Sequence, residues 1–196
     1  GIANVTVLAK SGDMLGFDTG PGNMLLDSWT KLKTGKDYDK DGAWSATGVV
    51  LQTLLSGMLA EPYFALPPPK STGRDLFNDH WLKQHQLYPH LRPQDVARTL
   101  VALTAHSIYD AIAPMDVDEV YVCGGGAHNS LLMRSLQEML GSKLLTTTDA
   151  LGVGADWVEA VAFAWLAKQT LENKPSNLPE ATGAKGLRVL GAIYPA

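Results

Sequence analysis

The chain has 196 residues, enough for one ordinary domain or a large lobe. Apolar residues make up 45% and charged residues 18%, so a sizeable core can form and intrinsic disorder is not expected. The formal net charge of -4 argues against general nucleic-acid binding, which needs a basic surface, but not against an anionic ligand held by backbone amides. A single cysteine, Cys123, permits no intrachain disulfide and fits a reduced, cytoplasmic compartment. No run of about 18 apolar residues reads as a membrane span. No charged segment followed by an apolar stretch opens the chain, so no secretory leader is expected.

The chain starts in mid-strand without Met, and a fragment of a longer protein is expected. Residues 2–8 are β-rich, residues 9–13 form a turn, and residues 14–17 return as a second strand, giving a hairpin. Asp18-Thr19-Gly20-Pro21-Gly22-Asn23 follows as a loop dense in Gly and Pro, with Asn23 placed to N-cap a helix over 24–33. Residues 34–42 form a charged loop, 44–60 a long apolar helix, and 62–73, which holds Pro67-Pro68-Pro69, an irregular segment.

Helices are predicted over 74–84 and 93–112, the second amphipathic through Val96, Leu100, Leu103, Ile108 and Ile112. A short buried strand at 119–123 runs into Gly124-Gly125-Gly126 and a helix over 129–140. Another strand spans 143–146, an apolar helix 155–171 with Trp157 and Trp165 in the core, and a last strand or tail 187–194. Alternating strands and helices suggest an α/β layered domain. The opening hairpin makes the sheet mixed rather than purely parallel.

The strongest local signal is the strand that delivers Gly124, Gly125 and Gly126 to a helix start. Bare backbone there lets a flat or anionic ligand approach, and the free N–H groups of the helix terminus favour negative charge. The alternative is a tight strand-to-helix turn with no ligand. The second signal is Asp18 at the end of a strand before a glycine-rich loop. Its carboxylate could accept a proton from an attacking hydroxyl or hold Mg²⁺, or could simply stabilise its own turn. Gly20, Gly22 and Asn23 on one loop, and Gly124 to Gly126 with Asn129 on the other, are the candidate nucleotide-holding residues.

Asp37-Tyr38-Asp39-Lys40-Asp41-Gly42 imitates half of a calcium loop, but Gly48 stands where the bidentate Glu belongs, so a solvated acidic loop is expected. Lys70, Ser71, Thr72 and Arg74 could contact a phosphate, or Thr72 and Asp75 could cap the helix that follows. Glu159 should sit on the wet face of its helix. His106 and His128 have no partners at zinc-ligand spacing, and no metal-ligating residue is singled out.

Taken in order, several segments resemble the anhydro-N-acetylmuramic acid kinase family across essentially the whole chain. They are residues 1–8, Gly16 through Asn23, Pro68-Pro69-Lys70-Ser71-Thr72-Gly73-Arg74 and Gly124-Gly125-Gly126-Ala127-His128-Asn129. Ala155-Asp156-Trp157-Val158-Glu159-Ala160 and Ser176-Asn177-Leu178-Pro179 complete the series. The resemblance implies an actin-like, ribonuclease H-like ATPase lobe, its mixed sheet flanked by helices. It implies ATP and Mg²⁺ as cofactors and an anhydro-amino-sugar substrate, with a homodimer suggested and neither nucleic acid nor membrane as partner. Asp18 would activate water, Gly124 to Gly126 would line the adenosine pocket, and Glu159 would help hold the sugar. The product would be N-acetylmuramic acid 6-phosphate, in cell-wall recycling. Residues 1–196 would then be one C-terminal nucleotide-binding lobe of a two-lobed kinase, inactive without its first lobe. The competing readings are a non-catalytic ATP-binding module or sugar sensor of the same superfamily, and an interaction domain whose glycine loops are only turns.

Overall fold

The computed structural model describes residues 1–85 and 90–194, with Glu180 described by its backbone alone. It is α/β and opens with a hairpin, β1 Ile2–Leu8 antiparallel to β2 Met14–Pro21, in register from Ile2 opposite Pro21 to Leu8 opposite Met14. The second strand runs past its expected end at Phe17, so Asp18, Thr19 and Gly20 lie in the strand and not in a loop. Three contacts extend it: Thr19 Oγ1 donates to Ala3 O, Gly22 N to Gly1 O and Asp18 N to Lys70 O. The register shifts by one residue between Ala3 and Asn4, which leaves Thr19 as the extra residue of β2.

Helix α1, Met24–Thr34, buries Leu25, Leu26 and Trp29 and ends on Gly35 in the left-handed region that glycine reaches without cost. The expected helix over 44–60 is divided. Residues 45–47 make one 3₁₀ turn, Gly48 and Leu51 are extended, and only α2, Gln52–Leu59, is α-helical. The cause is the neighbouring helix α4, Pro93–Ile112. Val49 N donates to the buried Asp95 carboxylate at 2.9 Å and Leu51 N to Thr99 Oγ1 at 3.0 Å. Gly48 lies so close to Gln94 and Asp95 that a Cβ there would stand 2.8 Å from Asp95 N. Tertiary docking therefore overrides an apolar, helix-compatible run.

Residues 62–73 are irregular as expected, apart from a 3₁₀ turn at Pro62–Ala65 and a cis bond between Pro68 and Pro69. The next helix is shorter than predicted. It is α3, Asp79–Gln84, capped by Asn78, whose side chain accepts from His80 N and Trp81 N. Thr72 and Asp75 are therefore not its caps.

Helix α4 matches its predicted span and is the central post of the molecule. Pro93 opens it, where a missing N–H costs nothing, and Val96, Leu100, Val101 and Leu103 are buried. Trp29 Nε1 donates to Pro93 O, and Thr104 Oγ1 lies 3.0 Å from both Pro21 O and Gly22 O, so α4 ties down α1 and the end of β2. A second part of the same core stacks Tyr63, Phe64, Phe77 and Trp81, with ring centroids 5.1 to 6.2 Å apart.

Strand β3, Glu119–Val122, pairs in parallel with β4, Leu144–Thr147, and α5, Ser130–Leu140, connects them and buries Leu131, Leu132, Leu136 and Leu140. Among the described residues the two strand pairs are separate two-stranded sheets, which corrects the expectation of one mixed sheet. Lys10 Nζ bridges to Asp118 at 2.7 Å between the hairpin turn and the approach to β3.

Helix α6, Val158–Leu171, has no buried residue. Trp157 is 67% exposed and Trp165 49%, so the expectation that both are core is overturned. None of the described elements covers the outer side of α6. The short helix α7, Pro179–Thr182, precedes a coil, and no strand forms at 187–194. Among the described residues no helix is long and apolar enough to cross a membrane.

Candidate active site

Asp18 is half-buried on β2 and is engaged at three of its polar atoms. Its N–H donates to Lys70 O at 3.0 Å, and its carbonyl accepts from Tyr63 OH at 2.7 Å. Carboxylate oxygen Oδ2 accepts from Ser71 Oγ and from Thr72 N, both at 2.9 Å. Among the described residues Oδ1 has no protein donor. Asp18 thus does not stabilise a turn of its own; a segment 53 residues away in sequence holds it.

Lys70 is turned inward. Its ammonium donates to Tyr63 O and Phe64 O at 3.1 Å and lies 4.7 Å from the Tyr63 ring centre. Burial holds its pKa below the usual lysine range. Burial, and after it the charge of Asp18, pushes the Tyr63 phenol up to about 12.

Gly20 is buried, and a Cβ on it would stand 2.6 Å from Phe64 Cε1. Gly22 is as tightly placed, with the same atom 2.8 Å from Gly1 O. Both glycines are demanded by close backbone and ring approaches inside this chain. Asn23 stands before α1, but its side chain makes no cap hydrogen bond, contrary to its predicted capping role. Its amide instead faces the second glycine segment, 3.7 Å from the place a Cβ on Gly125 would occupy. The structure therefore brings Asn23 and Gly125 together from opposite halves of the chain.

The second glycine segment leaves β3 at Gly124, whose φ of +72° favours glycine, while a Cβ there would meet nothing within 4 Å. Gly124 N donates to Ala155 O at 2.9 Å. Residues Gly125–His128 make a 3₁₀ turn, and Asn129 caps α5, its Oδ1 accepting from Leu131 N and Leu132 N at 3.1 Å. Asn129 is buried and its side-chain oxygen is committed to this cap. His128 Nε2 lies 2.8 Å from Asp156 Oδ1, and this hydrogen bond, helped by the charge of Asp156, lifts the imidazole above its usual range. The turn is thereby fastened to the segment before α6.

Glu159 is exposed in the first turn of α6, as are most residues of that helix. Its charge reaches Cys123 at the end of β3, where burial first and Glu159 second raise the thiol pKa. No contact joins Glu159 to Asp18.

In the acidic loop, Asp39 is buried, its carboxylate accepting from Trp44 N, Ser45 N and Ser45 Oγ. That loop is thus partly an internal cap, not wholly solvated. Among the described residues no group of three or more His, Cys, Asp or Glu side chains gathers.

Sequence reasoning missed Ser71, Thr72 and Tyr63 as partners of Asp18 and the pairing of His128 with Asp156. The polar Ser71-Thr72 pair after three prolines was visible, but no local pattern ties it to a strand so far upstream.

Residues 1–196 match the sequence profile of the family described as anhydro-N-acetylmuramic acid kinase. The chain is similar to the anhydro-N-acetylmuramic acid kinases of Nitrosomonas europaea and Nitrosospira multiformis, 52% identical to each over its whole length and covering 54% of theirs. It is 50% identical to that of Pseudomonas putida, covering 55% of it. The chain thus spans about half the length of the curated relatives it matches. The matched residues include both glycine segments and the Asp18 strand, and the chain belongs to the anhydro-N-acetylmuramic acid kinase family.

Proposed function

We propose that the protein carrying this chain is an ATP-dependent sugar kinase. It converts 1,6-anhydro-N-acetylmuramic acid and water to N-acetylmuramic acid 6-phosphate in cytoplasmic cell-wall recycling. The relatives' names supply the substrate class. The observation that carries the chemistry is Asp18, with one carboxylate oxygen held by two donors and the other left open.

In this reading Asp18 Oδ1 takes a proton from the water that attacks the anomeric carbon. The bond from that carbon to O6 breaks, O6 takes the γ-phosphoryl group, and ADP leaves. The hydroxyl of the water ends on the anomeric carbon, the phosphoryl group ends on O6, and the proton held by Asp18 passes to solvent, so atoms and charge balance. Such a transfer needs positioning and charge stabilisation more than covalent help from the protein.

Gly124, Gly125 and Gly126 would line the adenosine pocket, with Asn23 facing them. Asn129 would fix the exit of the turn, and Gly20 and Gly22 would keep the Asp18 strand close to its neighbours. Glu159 would hold a sugar hydroxyl. Mg²⁺ carried on nucleotide phosphates keeps most of its ligands as phosphate oxygens and water, so the open oxygen of Asp18 stays free to act as the base. The metal would supply charge neutralisation on the phosphates.

We infer further that residues 1–196 form one nucleotide-binding lobe of an actin-like kinase, a reading supported by the span of about half the relatives' length. A homodimer is the proposed assembly.

The test is phosphate transfer from ATP to the anhydro-sugar by the full-length protein. Asp18→Asn should lower kcat by about 10²- to 10⁴-fold, the range a general base contributes. ATP binding without transfer to this sugar would refute the substrate.

A further inference from the structure

Asp18 could meet its substrate with either oxygen, and its side chain could rotate. The structure restricts both freedoms, through residues that no part of the reaction yet uses. We propose that residues 70–72 are a positioning element for Asp18, with the Ser71 hydroxyl and the Thr72 amide engaging Oδ2 so that Oδ1 alone faces the nucleophile. This rests on the reading of Asp18 as the base.

The loop pairs with β2 through Asp18 N and Lys70 O at 3.0 Å, as an added strand would. Ser71 Oγ and Thr72 N then approach the same carboxylate oxygen, each at 2.9 Å. Two donors on one oxygen fix the plane of the carboxylate, because turning it would break both bonds.

The loop is itself anchored from inside. Lys70 Nζ donates to Tyr63 O and Phe64 O, so its charge secures the loop from inside. Tyr63, only 6% exposed, returns the anchor by donating to the Asp18 carbonyl. Behind Tyr63 stands the Phe64, Phe77 and Trp81 stack. The base therefore takes its orientation from the aromatic core, through a loop whose Ser71 hydroxyl and Thr72 amide reach the carboxylate. Ser71 is exposed, so changing it should not unfold the protein.

The experiment uses the full-length protein, ATP and 1,6-anhydro-N-acetylmuramic acid. Ser71→Ala should lower kcat by about 10- to 100-fold, the scale of a misplaced catalytic group, with both KM values changed less than about twofold. Ser71→Thr, which keeps the hydroxyl, should recover most of the rate. Wild-type kcat in Ser71→Ala, a change confined to KM, or an equal loss in Ser71→Thr would each overturn the proposal.

Independently of turnover, Asp18→Ala should speed hydrogen exchange at the Thr72 amide, which loses its acceptor. Unchanged exchange would overturn the contact itself. Asp18→Asn separates the two readings. If it turns over at the wild-type rate, the base assignment fails; if it is dead while Ser71→Ala is normal, only the positioning fails.

Discussion

At Tyr63 a single phenol joins the core to the strand that carries Asp18. Its hydroxyl donates to Asp18 O, and its ring packs edge-on against Phe64 and Phe77. Burial, then the Asp18 charge, raises its pKa from 10.0 to about 12. The folded protein therefore keeps this proton between those pH values while the unfolded chain loses it. The stability contributed is intact below about 10 and falls as pH rises through about 12. Tyr63→Phe leaves the Asp18 carbonyl without its partner and should cost about 1–3 kcal/mol in denaturant unfolding at neutral pH. Its unfolding free energy should also decline less steeply at alkaline pH, and an unchanged decline would show that another group is responsible. Asp18 was recognisable from its neighbours in sequence. Tyr63 was not, because a tyrosine beside a proline carries no sign of a partner 45 residues upstream.

Two asparagines at helix starts differ in whether they cap. Asn129 caps α5 with two backbone bonds, whereas Asn23 makes none and faces Gly125. Asn129→Ala should lower unfolding stability by about 1–2 kcal/mol. Asn23→Ala should leave stability within about 0.5 kcal/mol, the range of a substitution that removes no cap or core contact. If Asn23 lines the nucleotide pocket, the same variant of the full-length protein should bind ATP more weakly in calorimetry. Equal destabilisation of the two variants would contradict this division. From sequence Asn23 reads as the cap of its helix and Asn129 as a nucleotide-holding residue at the start of the next. What separates them is which side-chain oxygen meets the first free amides, a matter of backbone angle: Asn129 is extended at φ -89°, ψ 94°, while Asn23 is already helical at φ -76°, ψ -9°.

At the scale of the whole molecule, α4 gathers the hairpin end, α1, α2 and α5 around one core, while α6 stays outside it. Phe163 and Leu171 are 70% and 74% exposed, and an apolar groove lies between α6 and residues 148–153, lined by Leu151, Val153, Val161 and Trp165. Exposed apolar surface of this kind binds dyes and promotes association. The 196-residue chain in isolation should therefore enhance the fluorescence of an apolar dye, and Phe163→Ser should reduce that signal. No enhancement would mean that α6 is covered in solution.

The sequence by itself determined the local structure: the opening hairpin, the Pro93 helix and the strand, glycine and helix unit at residues 119–140. Each rests on a short-range pattern of alternation, helical periodicity or a special backbone residue. It also made Asp18 and the two glycine segments visible, because strand ends that meet bare backbone are short motifs. Only the tertiary structure decided the rest. Asp95 and Thr99 break the 44–60 helix, Ser71 and Thr72 orient Asp18, Asn23 meets Gly125, and the two tryptophans of the α6 region stay out of the core. The physical reason is common to all four. A hydrogen-bond partner or a covering surface drawn from a distant part of the chain leaves no trace in local composition, and an apolar face reads the same whether or not anything lies across it.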